Sequence, residues 1–210
     1  MSDSKRIIKN SIFLYGRKFI SIVAAIYSIR FVLQNLGIED YGIYSLLGGL
    51  IAMLAFFNNA MISSTQRHLS FSMGKGLADE VNSVFNASVQ IHFLISVLIF
   101  ILCESLGLIL VKTILDIPED RMNAAIWVYQ FIVFIVVTDV LSVPFQAITN
   151  AKEDMEAIAI RDIAHSLGKL LIAIVLGWVF VDRLILYGAL MLSLNIAVAF
   201  SFYWFCKSKH

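Results

Sequence analysis

Six apolar stretches, each near the length of a bilayer crossing, alternate with short polar connectors along the 210 residues of the chain. A hydrocarbon core about 30 Å thick needs roughly 20 helical residues to cross it, and the stretches at about 12–35, 41–65, 85–111, 123–149, 158–181 and 184–206 meet that need. None shows the short alternating pattern of a membrane β-barrel strand. Inside lipid only helices or closed barrels satisfy their own backbone, so the expected fold is all-α: a polytopic membrane protein built as one six-transmembrane-helix bundle. The connectors carry the turn chemistry. An acidic turn runs from Asn35 through Gly37, Glu39 and Asp40 to Gly42; a polar turn surrounds Gly74-Lys75-Gly76; Pro118 stops a helix between Asp116 and Arg121; Asn150–Glu156 is a charged turn; and Asp182-Arg183 is a very short hairpin.

Composition agrees with the pattern. Hydrophobic residues make up 60% of the chain and charged residues 15%, which excludes a water-soluble domain of this size. A net charge of +1 gives no sign of a nucleic-acid partner. Cys103 and Cys206 have no zinc-site or disulfide spacing. The basic start (Lys5, Arg6, Lys9) lacks a small-residue cleavage site after its apolar run, so the first span reads as a retained signal anchor. Lys and Arg sort unequally between the two sides. The side of the N-terminus also holds Arg17, Lys18, Arg67, Lys75, Lys152, Arg161, Lys207 and Lys209, against Arg30, Lys112, Arg121 and Arg183 opposite, so both termini are expected to be cytoplasmic.

Polar residues inside the spans are the candidate functional groups. The second span has a small-and-polar stripe, Ser45, Gly48, Ala52, Asn59, Ser63 and Gln66, which serves either helix packing or a polar lumen. The third places Asn82, Asn86 and Gln90 at i+4 spacing with Glu104 roughly in line; the fourth puts Asp139, Ser142 and Gln146 on one face beside a kink expected at Pro144. An ionisable group at membrane depth costs at least about 2.5–3.5 kcal/mol, so it faces the bundle or water. Glu104 and Asp139 therefore read as structural ion pairs with Arg30 or Lys112, as lumenal groups, or as sites of proton or cation coupling.

The fifth span is the most informative. Arg161, His165 and Lys169 stand at i, i+4 and i+8, with Asp162 alongside. Snorkelling to the interface accounts for Arg161 but poorly for Lys169, about three turns inside the span. With Arg17, Lys18 and Arg30 they point to a cationic cavity suited to an anionic headgroup, for which Arg offers bidentate phosphate contacts. His92 and His165 otherwise read as structural. No metal-ligand cluster, no nucleophile with a base at useful spacing and no cofactor motif is present, so an enzyme is not expected.

Three segments carry a family resemblance: Asn10–Arg17, Tyr27–Leu33 and Leu36–Tyr44, supported by Phe57–Met61, Ser64–Arg67 and Val143–Ile148. In these the chain resembles Wzx-like flippases of polysaccharide and O-antigen units, within the multidrug/oligosaccharidyl-lipid/polysaccharide exporter superfamily. The resemblance implies one six-helix lobe of a two-lobe transporter in the bacterial inner membrane. Its cargo would be undecaprenyl-pyrophosphate-linked oligosaccharide, moved to the periplasmic leaflet for polysaccharide or lipopolysaccharide biosynthesis. The chain would then be an N-terminal half needing a C-terminal lobe or a second copy. Arg17, Arg30, Arg161 and Lys169 would meet the pyrophosphate, Asn59, Gln90 and Gln146 the sugars, and His165 would stand with them among the substrate-binding residues. The alternatives are a cation-coupled multidrug or metabolite antiporter of the same superfamily, using Glu104 or Asp139, and a non-transporting truncated membrane product.

Overall fold

The computed structural model describes the backbone of residues 3–209, and the side chains of these except 3–14, 17, 50, 51, 53–56 and 207–209. Among the described residues all regular structure is helical. Helix α1 (Asp3–Gly74) is broken at Gly37, whose φ of 84° and ψ of 172° lie outside the helical region and are open to glycine alone. The two arms turn back on one another there. Ser21, Ser28 and Val32 of the first arm face the same cleft as Ala52, Ser45 and Tyr41 of the second, a pairing symmetric about the break.

Helix α2 (Ala78–Leu102) begins earlier than the expected 85 and runs through a π-turn (Cys103–Gly107) into α3 (Leu108–Thr113). The widened π-turn is held from the side. Tyr129, 1% exposed, donates its phenolic hydrogen to the Cys103 carbonyl at 2.8 Å, and Gly107 leaves the space its ring requires. Helix α4 (Met122–Leu141) gives way at Ser142 to α5 (Val143–Ala151), with Pro144 in the first turn of α5 where its missing N–H costs nothing. The expected interruption at Pro144 is therefore a helix restart. Helix α6 (Met155–Val175) starts at Asp154, whose carboxylate accepts from the Ala157 N–H at 3.3 Å, and ends in a 3₁₀ turn, Leu176–Trp178. Helix α7 (Arg183–Lys209) closes the fold.

Among the described residues four stretches are long and apolar enough to cross a bilayer: Lys18–Gly49, Ala78–Thr113, Met122–Ala151 and Arg183–Cys206. The first runs through the Gly37 break, and α6, with Arg161, Asp162, His165 and Lys169, does not qualify. Large apolar side chains such as Phe93, Leu94, Leu98, Ile101, Leu171, Phe200 and Trp204 are exposed on the flanks, as lipid contact requires.

The main core packs α4 against α1, α2, α3 and α7, through Leu47, Val111, Ala125, Val128, Tyr129, Val133 and Leu184. A second cluster joins Val32 of α1 to Ile172 and Ala173 of α6 and Tyr187 and Met191 of α7. Polar pins fix the two ends of the bundle. At one, Arg121 grips Asp40 through Nε and Nη2 (2.8 and 2.6 Å) and Asp182 through Nη1 (2.9 Å), while the Asn35 amide donates to the Ala173 carbonyl and Arg183 to the Asn35 carbonyl. The Gly37 elbow, the α4 start and the α6–α7 turn thus meet there. At the other end Ala157, Phe202 and Cys206 cluster, with fully buried Thr149 3.4 Å from the Cys206 Sγ. Midway, Ser166 of α6 donates to the Ser21 hydroxyl of α1 at 2.9 Å.

Candidate functional site: a mixed-charge cavity on the α6 face

The charges of α6 sit on one side of the helix because their spacing demands it. Ile160, Leu167, Leu171 and Ile174 fall on one face and are exposed; Arg161, His165 and Lys169 fall on the opposite face and line a cavity of about 400 Å³. The second arm of α1 contributes Tyr44, Asn58 and Asn59, α4 contributes Asp139, α5 Gln146, and α7 Asn195 and Phe202. A neighbouring cavity of about 620 Å³ opens between the two arms of α1. Tyr44, Gly48, His165 and Lys169 line both, so Lys169 stands where the two spaces adjoin.

Within the cavity the chain has placed opposite charges together. The Asn195 amide on α7 donates to Asp139 Oδ1 at 3.0 Å, fixing the carboxylate, which lies within electrostatic reach of both Arg161 and Lys169. The Arg161 guanidinium lies 5.4 Å from the Phe202 ring centre, in cation–π contact. Among the described residues neither Arg161 nor Lys169 has a carboxylate within 4.0 Å, and neither donates a hydrogen bond. Two cations whose donors are unspent and a tethered counter-charge can accept an anion by exchange.

The structure thus gathers Asn59, Gln146, Arg161, His165 and Lys169, and with them Asp139, from four helices into one site. Other sequence-expected groups lie elsewhere. Arg30 and Gln90 are exposed and outside this cavity, and the side chain of Arg17 is outside the described residues. Asn82, Asn86 and Gln90 all lie on an exposed face of α2; its buried polar row is Ser88, His92 and Ser96. Glu104 sits in the π-turn, where Gln130 Nε2 donates to Oε2 at 3.2 Å and Oε1 is buried without a partner. Ion pairs of Asp139 or Glu104 with Arg30 or Lys112 do not form: Arg30 and Lys112 are exposed, and the two acids have amide partners instead. Nor is the lining purely cationic, as the basic stripe alone implied, since Asp139 and Asp162 share it.

Sequence reasoning missed Asn195 and Asn58. Asn195 stands in the apolar run Met191–Ala199. The rule that a polar group at membrane depth seeks a partner, applied to Asp139, applies equally to it. Comparisons of the chain with protein-family models, with curated proteins and with solved structures find no match.

Proposed function

We propose that this protein is a membrane transport lobe that receives the phosphate group of an anionic, lipid-linked substrate in the α6 cavity. Six helices cross the bilayer in this reading: the two arms of α1 either side of Gly37, α2–α3, α4–α5, α6 and α7. Helix α6 crosses despite its charges because they face the cavity while Ile160, Leu167, Leu171 and Ile174 face lipid. The Asp40–Arg121–Asp182 end faces the periplasm, and both termini face the cytoplasm.

The observation that carries the reading is the convergence of Arg161 and Lys169, neither of which donates a hydrogen bond among the described residues, beside the amide-bearing Asn59 and Gln146. The cations suit a pyrophosphate and the amides suit sugar hydroxyls. Undecaprenyl-pyrophosphate-linked oligosaccharide, the cargo implied by the resemblance to Wzx-like flippases, presents both. A second lobe or a second copy of the chain would supply the facing half, since alternating access rocks one repeat against another around the site. With that half present, Lys169→Gln is expected to cut translocation of the lipid-linked glycan by about tenfold or more while membrane abundance stays at the wild-type level. Equal losses of translocation and abundance would remove the binding role.

Asp139 favours a second reading, a cation-coupled antiporter, because it is a tethered carboxylate in the same cavity. That reading expects transport to depend on a proton or sodium gradient and to vanish in Asp139→Asn. A flippase in which Asp139 acts only as resting counter-charge keeps its activity in that variant.

A further inference from the structure

Arg161 belongs to two cavities at once. Beside the polar cavity, on the outer flank of the bundle, an apolar groove of about 340 Å³ runs between α6 and α7 over the small side chains Ala164, Ala197 and Ser201. Among the described residues that line it, Arg161 is the one charged side chain. Arg161, Val198 and Phe202 line both spaces, so the wall between them is one guanidinium stacked near a 7%-exposed aromatic ring and one valine. A guanidinium with no hydrogen bond among the described residues, at the neck between an apolar groove and a polar cavity, fits one kind of occupant. That occupant carries a phosphate joined to an apolar chain.

We infer that the α6–α7 groove holds the apolar chain of a phosphate-bearing anionic lipid, with the phosphate on Arg161 and the substituent beyond it directed into the polar cavity. The small residues supply the groove because their missing side-chain volume lets a chain lie against the helix backbones. Phe202 holds Arg161 at the neck when no lipid is bound, and the phosphate draws the guanidinium from the ring because a charge-assisted bidentate contact outweighs a cation–π contact. The inference rests on the anion-binding reading of the cavity and adds to it a lateral route from the bilayer.

Native mass spectrometry of the full chain, released from vesicles of phosphatidylcholine and phosphatidylglycerol, tests it. Wild type is expected to keep a phosphatidylglycerol adduct under activation that strips phosphatidylcholine. Ala164→Trp and, independently, Ala197→Phe fill the groove, and Arg161→Gln removes the phosphate contact; each is expected to lower adduct retention about tenfold, with Arg161→Lys recovering part of it. Helix content by circular dichroism separates these effects from misfolding. Calorimetric binding of inorganic pyrophosphate, run on the same proteins, separates the groove from the cavity. Ala164→Trp keeps pyrophosphate binding and loses the lipid if the inference is right. A wild type without selective phosphatidylglycerol retention, or retention that survives both groove-filling variants, overturns the groove. Loss of pyrophosphate binding in wild type overturns the cavity reading beneath it.

Discussion

Gly107→Ala places a methyl group where the structure has a phenol. A Cβ built at Gly107 lies 1.9 Å from the Tyr129 hydroxyl oxygen and 3.0 Å from its ring carbon Cζ. Tyr129 cannot give way freely, being 1% exposed inside the main core and bonded to the Cys103 carbonyl. Over-packing a site of this kind costs about 1–3 kcal/mol. Displacing the phenol also forfeits a hydrogen bond with a net value near 1 kcal/mol. The smaller figure applies because the Cys103 carbonyl still accepts from the Leu108 N–H when Tyr129 leaves. Against these stands a gain of about 1 kcal/mol from replacing glycine in a helix, so the net loss is about 1–3 kcal/mol. Tyr129→Phe alone costs about 1 kcal/mol. It also deletes the atom at 1.9 Å, so the double variant Gly107→Ala/Tyr129→Phe is expected to be no less stable than Tyr129→Phe by itself. Equilibrium unfolding of all four proteins in mixed micelles closes the cycle. Simple additivity, or a Gly107→Ala protein as stable as wild type, would show that the Tyr129–Cys103 contact does not hold the π-turn.

A matched control lies at Gly168, where an added Cβ meets the Leu194 methyl at 2.4 Å, the flexible end of a half-buried side chain. Gly168→Ala is therefore expected to cost less than about 1 kcal/mol in the same assay. At the end of the bundle that holds the Gly37 elbow, Arg121→Met leaves Asp40 and Asp182 without their cation. With these side chains 18–34% exposed, a loss of about 1–3 kcal/mol is expected, below that of a fully buried pair. Burial alone would raise the Asp182 carboxyl, but hydrogen bonds from Arg121 and from the Ile185 and Leu184 N–H groups outweigh it and hold the group below the usual carboxylate range. The depressed value means its stabilising contribution is complete above the unfolded carboxylate pKa, about 3.9. It is lost as pH falls through the lower folded value. The stability gap between wild type and Arg121→Met should accordingly be constant at neutral pH and close as pH drops below about 4, as melting temperatures across pH would report. A gap independent of pH down to the acid limit would show that Arg121 acts by packing.

The helical class and the polarity of each connector were legible because long apolar runs and Gly, Pro and Asp turn signals are local properties. The Gly37 break is an example: glycine in an acidic turn marked the elbow, and the backbone there needs a positive φ. The site was legible in part. The 3.6-residue spacing of Arg161, His165 and Lys169 placed them on one face without reference to any neighbour, and that face does line the cavity. The α2 stripe misled for a physical reason. That helix is apolar on most sides, so periodicity could not tell the packed Ser88–His92–Ser96 row from the exposed Asn82–Asn86–Gln90 row. Which polar groups meet across helices depends on packing alone. Asp139 finding Asn195, and Glu104 finding Gln130, had no local signature.

Calorimetric titration of inorganic pyrophosphate into the purified chain tests the central claim most directly, using wild type, Lys169→Gln, Arg161→Gln and Asp139→Asn. The account predicts binding that weakens about tenfold or more in each cation variant, as loss of a charge-assisted hydrogen bond requires, and that strengthens in Asp139→Asn, where the resting counter-charge is gone but the Asn195 partner is kept. Binding indifferent to all three substitutions, or absent from wild type, would contradict it.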